Sequence, residues 1–360
     1  MKNTRRNKKV LMAMSGGVDS SVSAAILKKD GYDVIGITME IWPKKADDFG
    51  GCCSASAVDD AKKVADKLKI PHYVLNLREE FKKFVIDDFV KEYKNGRTPN
   101  PCVRCNRHIK FDLLLKKADE LGADFIATGH YAVIVKGKKM YELRKSSDKN
   151  KDQSYFLYDF SQEALKRTLF PLGKMTKTKT RLLAKKLGLS VADKKDSQEI
   201  CFIENNNYGA FVSENSSEPI KPGPIYSADG TRLGMHKGII YYTVGQRKGL
   251  GIPFGKPFYV IKIDPAQNAI IVGEEDETLG RSLVAEGFRW TSIDAPKDIF
   301  TAKAKIRYMN EETEAQIHPL ENNEVSVSFK KPVKAITPGQ SVVLYKNDTV
   351  LGGGVICRTS

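Results

Sequence analysis

The sequence contains no run of about 18 apolar residues, the length that a helix needs to cross a membrane, so we expect no membrane span. The N-terminus has basic residues before an apolar stretch, but that stretch covers only residues 10–14. The apolar region of a secretory signal needs about 7–15 residues, so this segment is better interpreted as a buried first strand. Internal repeats and long low-complexity tracts are also lacking. We therefore expect a cytoplasmic protein with no membrane partner.

Cysteine is scarce for a disulfide-stabilised protein, with six residues in a chain of 360. They are Cys52, Cys53, Cys102, Cys105, Cys201 and Cys357. Without a secretory signal, and at this length, a disulfide framework is not expected. In a reducing compartment such cysteines are more often catalytic, metal-binding or buried. We interpret Cys52, Cys53 and Cys357 as buried or incidental.

Negative charge is also in short supply, since the formal net charge is +15 and the pI is near 9.3. The excess is uneven, because residues 166–195 contain ten Lys or Arg and a single acidic residue, Asp193. Such a basic segment favours a polyanionic partner, since neutralising phosphates releases counterions. A basic surface that is merely solvated is the alternative, and charge alone does not decide between them.

The first part of the chain alternates between strand and helix patterns. In order, we predict VLMAM (strand), SSVSAAILKKDG (helix), DVIGITMEI (strand), SASAVDDAKKVADKLK (helix), HYVLNL (strand), about 79–93 (helix), IKFDLLLKKADELG (helix) and DFIATG (strand). This alternation predicts an α/β fold with a doubly wound parallel sheet and helices on both faces. Ligands of such sheets bind beyond the carboxyl ends of the strands.

The pattern loosens from about residue 131, where we predict a hairpin over 131–145 and a basic helix that ends at Gly188. After about residue 205 it changes to short alternating runs separated by Gly and Pro. Such runs predict small β domains. We expect a catalytic domain over 1–205, a small β-rich domain over 206–280 and a C-terminal β-barrel over 281–360.

The most specific motif lies between the first strand and the first helix. It consists of Ser15, Gly16, Gly17, Val18, Asp19 and Ser20. Glycines let the backbone close around a phosphate, and the N-terminus of the next helix offers N–H groups and a positive dipole end. Asp19 would repel phosphate unless it caps the helix or helps to hold Mg²⁺. The motif is neither a Walker A loop nor a dinucleotide-binding glycine motif, because it lacks both spacings.

SGGVDS resembles the PP-loop signature of ATP pyrophosphatases. These enzymes cleave ATP to AMP and pyrophosphate while they adenylate a carbonyl or carboxyl oxygen. The resemblance implies ATP and Mg²⁺ as cofactors. It also implies that Ala13, Met14, Met39 and Gly129 line the adenosine pocket, although each of these residues could equally belong to the core or to a turn.

The cysteines indicate the chemistry. Cys102 and Cys105 lie in TPNPCVRCNRHIKF, just before a predicted helix whose dipole would lower a thiol pKa, and Cys201 lies in DSQEICFI. Attack by a thiolate on a sulfane sulfur needs a second sulfur nearby, so two separated cysteines suit a persulfide mechanism. A C-x-x-C pair is also half of a zinc site, but the usual second pair is absent. An iron–sulfur cluster on the three cysteines is a further alternative.

Around these residues the sequence resembles the bacterial and mitochondrial tRNA 2-thiouridylases. The resemblance covers nearly the whole chain, in SGGVDSS, GCCS, RTPNPCVRCN, ATGHYA, KDQSYFLY, DSQEICFI, TVGQRKGLGI and PGQSVV. It implies that ATP adenylates the C2 oxygen of the wobble uridine of tRNA, and that a sulfur-relay protein donates a persulfide. Cys201 would carry the persulfide and Cys105 would be the nucleophile, with a transient disulfide between them. The position of Cys102 is Asp in some family members, which argues against an indispensable thiol.

The same resemblance implies a set of tRNA-contacting residues. They are Asn100, Pro101 and Cys102 beside the target base, with His130, Lys151, Asp152, Gln153, Arg307, Tyr308 and Gln340 elsewhere. A base in an anticodon loop must be splayed out to be modified. For His130, a satisfied loop histidine is the alternative. GQRKGLGI is either an RNA-binding loop or a turn that packs on the catalytic domain.

Two other functions are compatible with parts of the sequence. A PP-loop synthetase that adenylates a small acceptor would explain SGGVDS but not TPNPCVRC, DSQEIC or the charge excess. A nucleotide-regulated RNA-binding or metal-carrier protein would release no pyrophosphate even with tRNA present.

Overall fold

The computed structural model describes residues 7–41, 55–194, 200–203, 207–251 and 257–359. Cys52, Cys53, most of DSQEI before Cys201, Ile252 and residues 2–6 of the basic N-terminus lie outside these ranges. Within the described ranges, none of the helices is long and apolar enough to cross a membrane.

The first part of the chain contains most of the helices. They are α1 Val18–Lys29, α2 Ala55–Leu68, α3 Arg78–Phe81, α4 Asp87–Lys94, α5 Pro101–Arg104, α6 Leu114–Glu120, α7 Gln162–Arg167 and α8 Lys177–Lys186. Two π-helical segments, Lys82–Ile86 and Cys105–Leu113, join α3 to α4 and α5 to α6. A 3-10 turn spans Ser154–Leu157. The strands are β1 Lys9–Ala13, β2 Asp33–Glu40, β3 His72–Asn76, β4 Phe125–Ala127, β5 Val133–Lys136, β6 Tyr141–Arg144 and β7 Thr168–Leu169.

A parallel sheet with the strand order β3-β2-β1-β4-β7 forms the centre of this part. Alternate residues of β1 belong to different hydrophobic clusters. Val10 and Met12 belong to one cluster, and Leu11 and Ala13 belong to the other. A strand buried on both faces needs a continuous apolar sequence, which is why β1 shows no alternation. The predicted α/β fold with a parallel sheet is therefore confirmed.

The second half of the chain is rich in β-structure. It contains α9 Tyr208–Glu214, a 3-10 turn at Ile239–Tyr241, and the strands β8 Gly223–Ser227, β9 Arg232–His236, β10 Tyr259–Asp264 and β11 Ala269–Gly273. These four strands form a sheet in the order β10-β11-β8-β9. The last part contains a 3-10 turn at Asp276–Thr278 and the strands β12 Leu279–Trp290, β13 Phe300–Lys305, β14 Thr313–Pro319, β15 Val325–Lys334, β16 Ser341–Lys346 and β17 Thr349–Thr359.

Strands β12 to β17 form the C-terminal barrel. Their order is β12-β15-β14-β13-β16-β17, and pairing of β12 with β17 closes the ring. Inward-facing apolar side chains such as Leu283, Ile317 and Val342 fill it. The predicted hairpin over 131–145 is present as β5 and β6, and it joins the barrel sheet through Thr349 of β17 opposite Arg144. The first part of the chain and the C-terminal barrel thus share a sheet.

One predicted helix begins earlier than its sequence pattern indicates. We expected a helix over IKFDLLLKKADELG, but the helical segment starts at Pro101 and therefore contains both Cys102 and Cys105. Asn100 is its N-cap, because the side chain accepts a hydrogen bond from the N–H of Val103. Proline suits the first helical position, where its missing N–H costs nothing. The polar TPNP sequence is thus a helix start rather than a loop before one.

Candidate nucleotide and thiol site

The glycine motif forms a tight loop between β1 and α1, at the carboxyl end of the central strand. Ser20 is buried, and its Oγ accepts the Ser15 N–H at 3.2 Å and donates to the Gly17 carbonyl at 3.1 Å. Gly17 occupies the N-cap and has no side chain to cap α1. The N-terminal end of this twelve-residue helix is therefore suited to bind an anion.

Two glycines allow other backbone segments to approach this loop closely. Gly16 has φ +65°, and a Cβ there would lie 2.2 Å from the carbonyl oxygen of Ala57 on α2. A Cβ on Gly129, which follows β4, would lie 2.8 Å from the carbonyl carbon of Asp19 and the nitrogen of Ser20. Both positions require glycine because a side chain would displace the loop.

Asp19 has a cationic partner that the sequence did not reveal. Lys177 Nζ, at the start of α8, lies 2.8 and 2.7 Å from the two carboxylate oxygens, and the Tyr131 hydroxyl donates to Oδ1 at 2.9 Å. Asp19 is therefore neither the helix cap nor an isolated negative charge. Both its oxygens already bind an ammonium, so the geometry does not fit Mg²⁺ held by Asp19.

A second lysine contacts the glycine loop directly. Lys194 Nζ donates to the carbonyl oxygen of Gly16 at 3.1 Å and to Asp60 Oδ2 on α2 at 2.7 Å. Both Lys177 and Lys194 belong to the basic segment 166–195, for which the sequence left a polyanionic partner and a solvated surface as alternatives. Part of that positive charge therefore lies at the candidate phosphate site, where it would favour bound ATP.

The predicted adenosine-lining residues lie at the ends of β1 and β2. Met14 is 2% exposed, its N–H donates to the Ile37 carbonyl at 2.7 Å, and its carbonyl accepts from the Thr38 hydroxyl at 2.8 Å. Ala13 is buried as well, and Met39 is partly buried against two hydrophobic clusters. The side chains of Ala13 and Met14 therefore belong to the core.

The three candidate thiols differ in exposure. Cys102, in the first turn of α5, is exposed, Cys105 is buried, and Cys201 is half-buried. Cys105 and Cys201 contact the same hydrophobic cluster, which also contains Phe89 and Phe202. Among the described residues, which include all three thiols, no three His, Cys, Asp or Glu side chains are grouped to hold a metal ion. The three thiols are therefore not arranged to hold an iron–sulfur cluster.

His130 lies in the protein interior. It is 8% exposed, its Nδ1 is 2.7 Å from the Thr128 hydroxyl, and its ring packs beside those of Phe111 and Phe170 at centroid distances of 6.0 and 5.9 Å. Burial holds the pKa of His130 well below its ordinary value, with Lys110 contributing further. The structure favours the alternative that we gave for this residue, a satisfied buried histidine, over a direct tRNA contact.

The other predicted RNA residues form two neighbouring groups. Asp152 accepts hydrogen bonds from the Ser146 N–H at 2.9 Å and the Ser154 hydroxyl at 2.7 Å, and burial raises its pKa. Burial raises the pKa of Tyr308, the charge of Asp152 raises it further, and the charge of Lys151 opposes the shift. The Tyr308 ring packs on Phe156 with centroids 4.6 Å apart. The structure thus brings the KDQ motif (Lys151–Gln153) and Arg307–Tyr308 together.

Several of these side chains already have partners within the chain. Gln153 Oε1 accepts the Tyr131 N–H at 2.9 Å, and Arg307 donates to the carbonyl oxygens of Val244 at 2.9 Å and Ala335 at 3.2 Å. Gln340 Nε2 donates to the carbonyl oxygens of Thr98 at 2.9 Å and Pro99 at 3.3 Å. Their amide and guanidinium groups therefore hold the protein's own backbone in place.

Known proteins resemble this chain over almost its whole length. Residues 8–205 match a family model described as tRNA methyl transferase HUP domain, 210–274 match tRNA methyl transferase PRC-barrel domain, and 280–356 match Aminomethyltransferase beta-barrel domain. The tRNA-specific 2-thiouridylase MnmA of Acetivibrio thermocellus is 54% identical over 355 residues, which are 97% of this chain and 99% of that protein. The enzyme of the same name from Clostridium perfringens is 52% identical over 352 residues, with 97% and 98% covered.

A solved structure also resembles part of the chain. It is described as a 4-thiouridine synthetase–RNA complex with bound ATP, is 19% identical, and has a TM-score of 0.36. The match covers 54% of this chain and 45% of that one. A likeness at this level carries no argument about function, so the assignment depends on the closely related sequences.

Proposed function

The chain belongs to the tRNA-specific 2-thiouridylase family, and from that membership we propose that it thiolates C2 of the wobble uridine of tRNA at the expense of ATP. The products are 2-thiouridine, AMP and pyrophosphate. The structural observation that supports the use of ATP is the glycine loop at the end of β1, where the N-terminus of α1, Lys177 and Lys194 converge. This arrangement suits a triphosphate, and Mg²⁺ would arrive as the counter-ion of its phosphates.

The first step activates the base. The C2 oxygen of the uridine attacks the α-phosphorus of ATP, pyrophosphate leaves, and the base carries AMP on that oxygen. The N–H groups at the start of α1 would stabilise the phosphate charge, and Lys177 would keep Asp19 from repelling it. The glycines at 16 and 129 let the surrounding backbone hold the loop in one position.

The second step moves sulfur. A relay protein places a sulfane sulfur on Cys201, and the terminal sulfur of this persulfide attacks C2, so that AMP leaves. The Cys105 thiolate then attacks the Cys201 sulfur, the sulfur–sulfur bond breaks, and the transferred atom remains on the base with its electron pair. The enzyme is left with a Cys105–Cys201 disulfide, which a thiol reductant must reduce. The shared hydrophobic cluster around both residues supports their pairing.

The target base would be received at the start of α5. Asn100, Pro101 and exposed Cys102 lie there, one turn before Cys105. The anticodon loop would then extend toward Lys151 and Tyr308, and the remaining charge of segment 166–195 would face the phosphates of the tRNA body. We propose in addition that a sulfur-relay protein is the donor and that the enzyme acts in the cytoplasm.

Cysteine substitutions separate this function from that of a PP-loop synthetase. Cys105→Ser and Cys201→Ser should each release pyrophosphate in the presence of tRNA and ATP but form no 2-thiouridine. Asp19→Ala should release none, because Lys177 and the Tyr131 hydroxyl lose the carboxylate that holds them beside the glycine loop. Cys357→Ser is the matched control, because its sulfur lies in the barrel, 3.3 Å from the Val284 carbonyl oxygen. Normal thiolation by Cys201→Ser would show that this residue does not carry the persulfide. Unchanged overall turnover in both active-site cysteine variants would favour the synthetase.

A further inference from the structure

The short loop that leads into the cysteine-bearing helix is where the three parts of the chain meet. Residues 96–100 connect α4 to α5, and Asn100 at their end caps α5. Any displacement of the loop would therefore move the N-terminus of the helix on which Cys102 and Cys105 lie.

The C-terminal barrel contacts this loop through its backbone. The Thr98 N–H donates to the Pro338 carbonyl at 2.8 Å, and Gln340 donates to the carbonyls of Thr98 and Pro99. Between them, Gly339 has φ +91°, and a Cβ there would lie 2.7 Å from the nitrogen of Thr98. The segment 338–340 thus satisfies one donor and two acceptors of the loop at a contact that leaves no room for a side chain on Gly339.

Further contacts fasten the same loop from two sides. Arg97 reaches Glu286 on barrel strand β12 at 2.7 Å. The β-rich part between α9 and β11 supplies two further contacts. The Thr243 hydroxyl lies 3.3 Å from the Thr98 hydroxyl, and a Cβ on Gly96 would lie 2.8 Å from Cγ2 of Ile263. The position of the loop is therefore set by both β-rich parts, whereas its sequence belongs to the catalytic part.

We propose that Gln340 is a positioning residue, which acts through Thr98 and Pro99 to fix the start of the cysteine-bearing helix relative to the barrel. The inference depends on the proposed function, because it assigns to the barrel the alignment of Cys105 with the uridine C2. It differs from the role that the family resemblance implied for Gln340, a direct contact with tRNA. The amide nitrogen of Gln340 already binds two protein carbonyls, and this geometry favours alignment.

The first test needs no tRNA and no activity. Hydrogen exchange of peptides covering residues 96–105 is compared between the full-length protein and the variants Gln340→Leu, Gly339→Ala and Gln316→Leu. Gln316 is an exposed glutamine on β14 and serves as the matched control. We expect faster exchange in the first two variants and no change in the control. Unchanged exchange in Gln340→Leu would overturn the inference, whether or not the chain thiolates tRNA.

The second test distinguishes alignment from RNA contact. Single-turnover thiolation by enzyme loaded with persulfide is measured together with the Kd for tRNA. A misplacement of about 1 Å can cost about 10²-fold in rate, so we expect a 10- to 100-fold slower transfer in Gln340→Leu and Gly339→Ala, with an unchanged Kd. A weaker Kd with a normal transfer rate in Gln340→Leu would instead show a tRNA contact. If wild-type enzyme forms no 2-thiouridine, the proposed function fails, while the exchange result still decides whether the loop is held.

Discussion

Adding one methyl group at Gly129 should disable the nucleotide site without altering any polar group. An alanine Cβ there would lie 2.8 Å from two backbone atoms, the carbonyl carbon of Asp19 and the nitrogen of Ser20. Ordinary carbon contacts are about 3.5–4.0 Å, so the first turn of α1 and the segment after β4 must separate by about 1 Å. Gly129 is not among the residues with positive φ, so its backbone conformation accepts alanine and the effect is steric.

The size of the effect follows from the rigidity of the neighbours. Ser20 is 4% exposed and bonded to both Ser15 and Gly17, so the loop can relieve the contact only by moving as a unit. Overpacking of this kind costs about 1–3 kcal/mol of stability. A 1 Å displacement of a phosphate-binding loop should slow pyrophosphate release about 10²-fold, because the α-phosphorus is no longer aligned with its acceptor.

The assay compares pyrophosphate release and ATP binding in Gly129→Ala with those in a second glycine variant. Gly234→Ala is the control, since no atom lies within 4 Å of a Cβ at that position and its φ is not positive. We expect normal activity in Gly234→Ala and loss of nucleotide binding in Gly129→Ala at a temperature where both are folded. Wild-type ATP affinity and pyrophosphate release in folded Gly129→Ala would refute the assignment of this loop to ATP.

Two further predictions concern Lys177 and His130. Replacing Lys177 by Met removes the ammonium from the Asp19 carboxylate and leaves the Tyr131 hydroxyl bound to it. The free energy of unfolding, measured with urea, should therefore fall by about 1–3 kcal/mol. Calorimetry should show a weaker affinity for ATP. For His130, burial lowers the pKa below the ordinary 6.5, so below that pH the unfolded chain binds more protons than the folded one and stability falls. As the pH drops below 6.5, the free energy of unfolding should therefore fall by up to about 1.4 kcal/mol per pH unit more in the wild type than in His130→Gln. Parallel profiles of unfolding free energy against pH would contradict this.

The parallel sheet and the glycine loop could be predicted because their signals are local. An apolar run, a glycine motif and a helix pattern follow one another within residues 9–29, and each is determined by neighbours in sequence. The start of α5 was harder to place, since NPCVRCN lacks the apolar periodicity of the helix that it begins. Its signal was the Asn-Pro pair, an N-cap followed by proline at the first helical position.

The partners of the site residues could not be predicted, because they come from distant parts of the chain. Lys177 is 158 residues from Asp19, and Gln340 is 242 residues from Thr98. Sequence patterns also do not distinguish a polar side chain that is satisfied inside the protein from one that awaits a ligand. This is why the sequence left two interpretations of His130 open, a tRNA contact and a satisfied histidine, whereas the structure packs its ring beside Phe111 and Phe170.

Sulfur incorporation into unmodified tRNA tests the central claim most directly. Wild-type enzyme is incubated with ATP, Mg²⁺, a persulfide donor and tRNA, and the product is examined by nucleoside analysis together with pyrophosphate release. A tRNA with cytidine at the wobble position serves as the control. The account predicts 2-thiouridine at the wobble position, formed in amounts equal to the pyrophosphate released, and none in the control. Pyrophosphate release that depends on a small acceptor, without thiolation of tRNA, would contradict it.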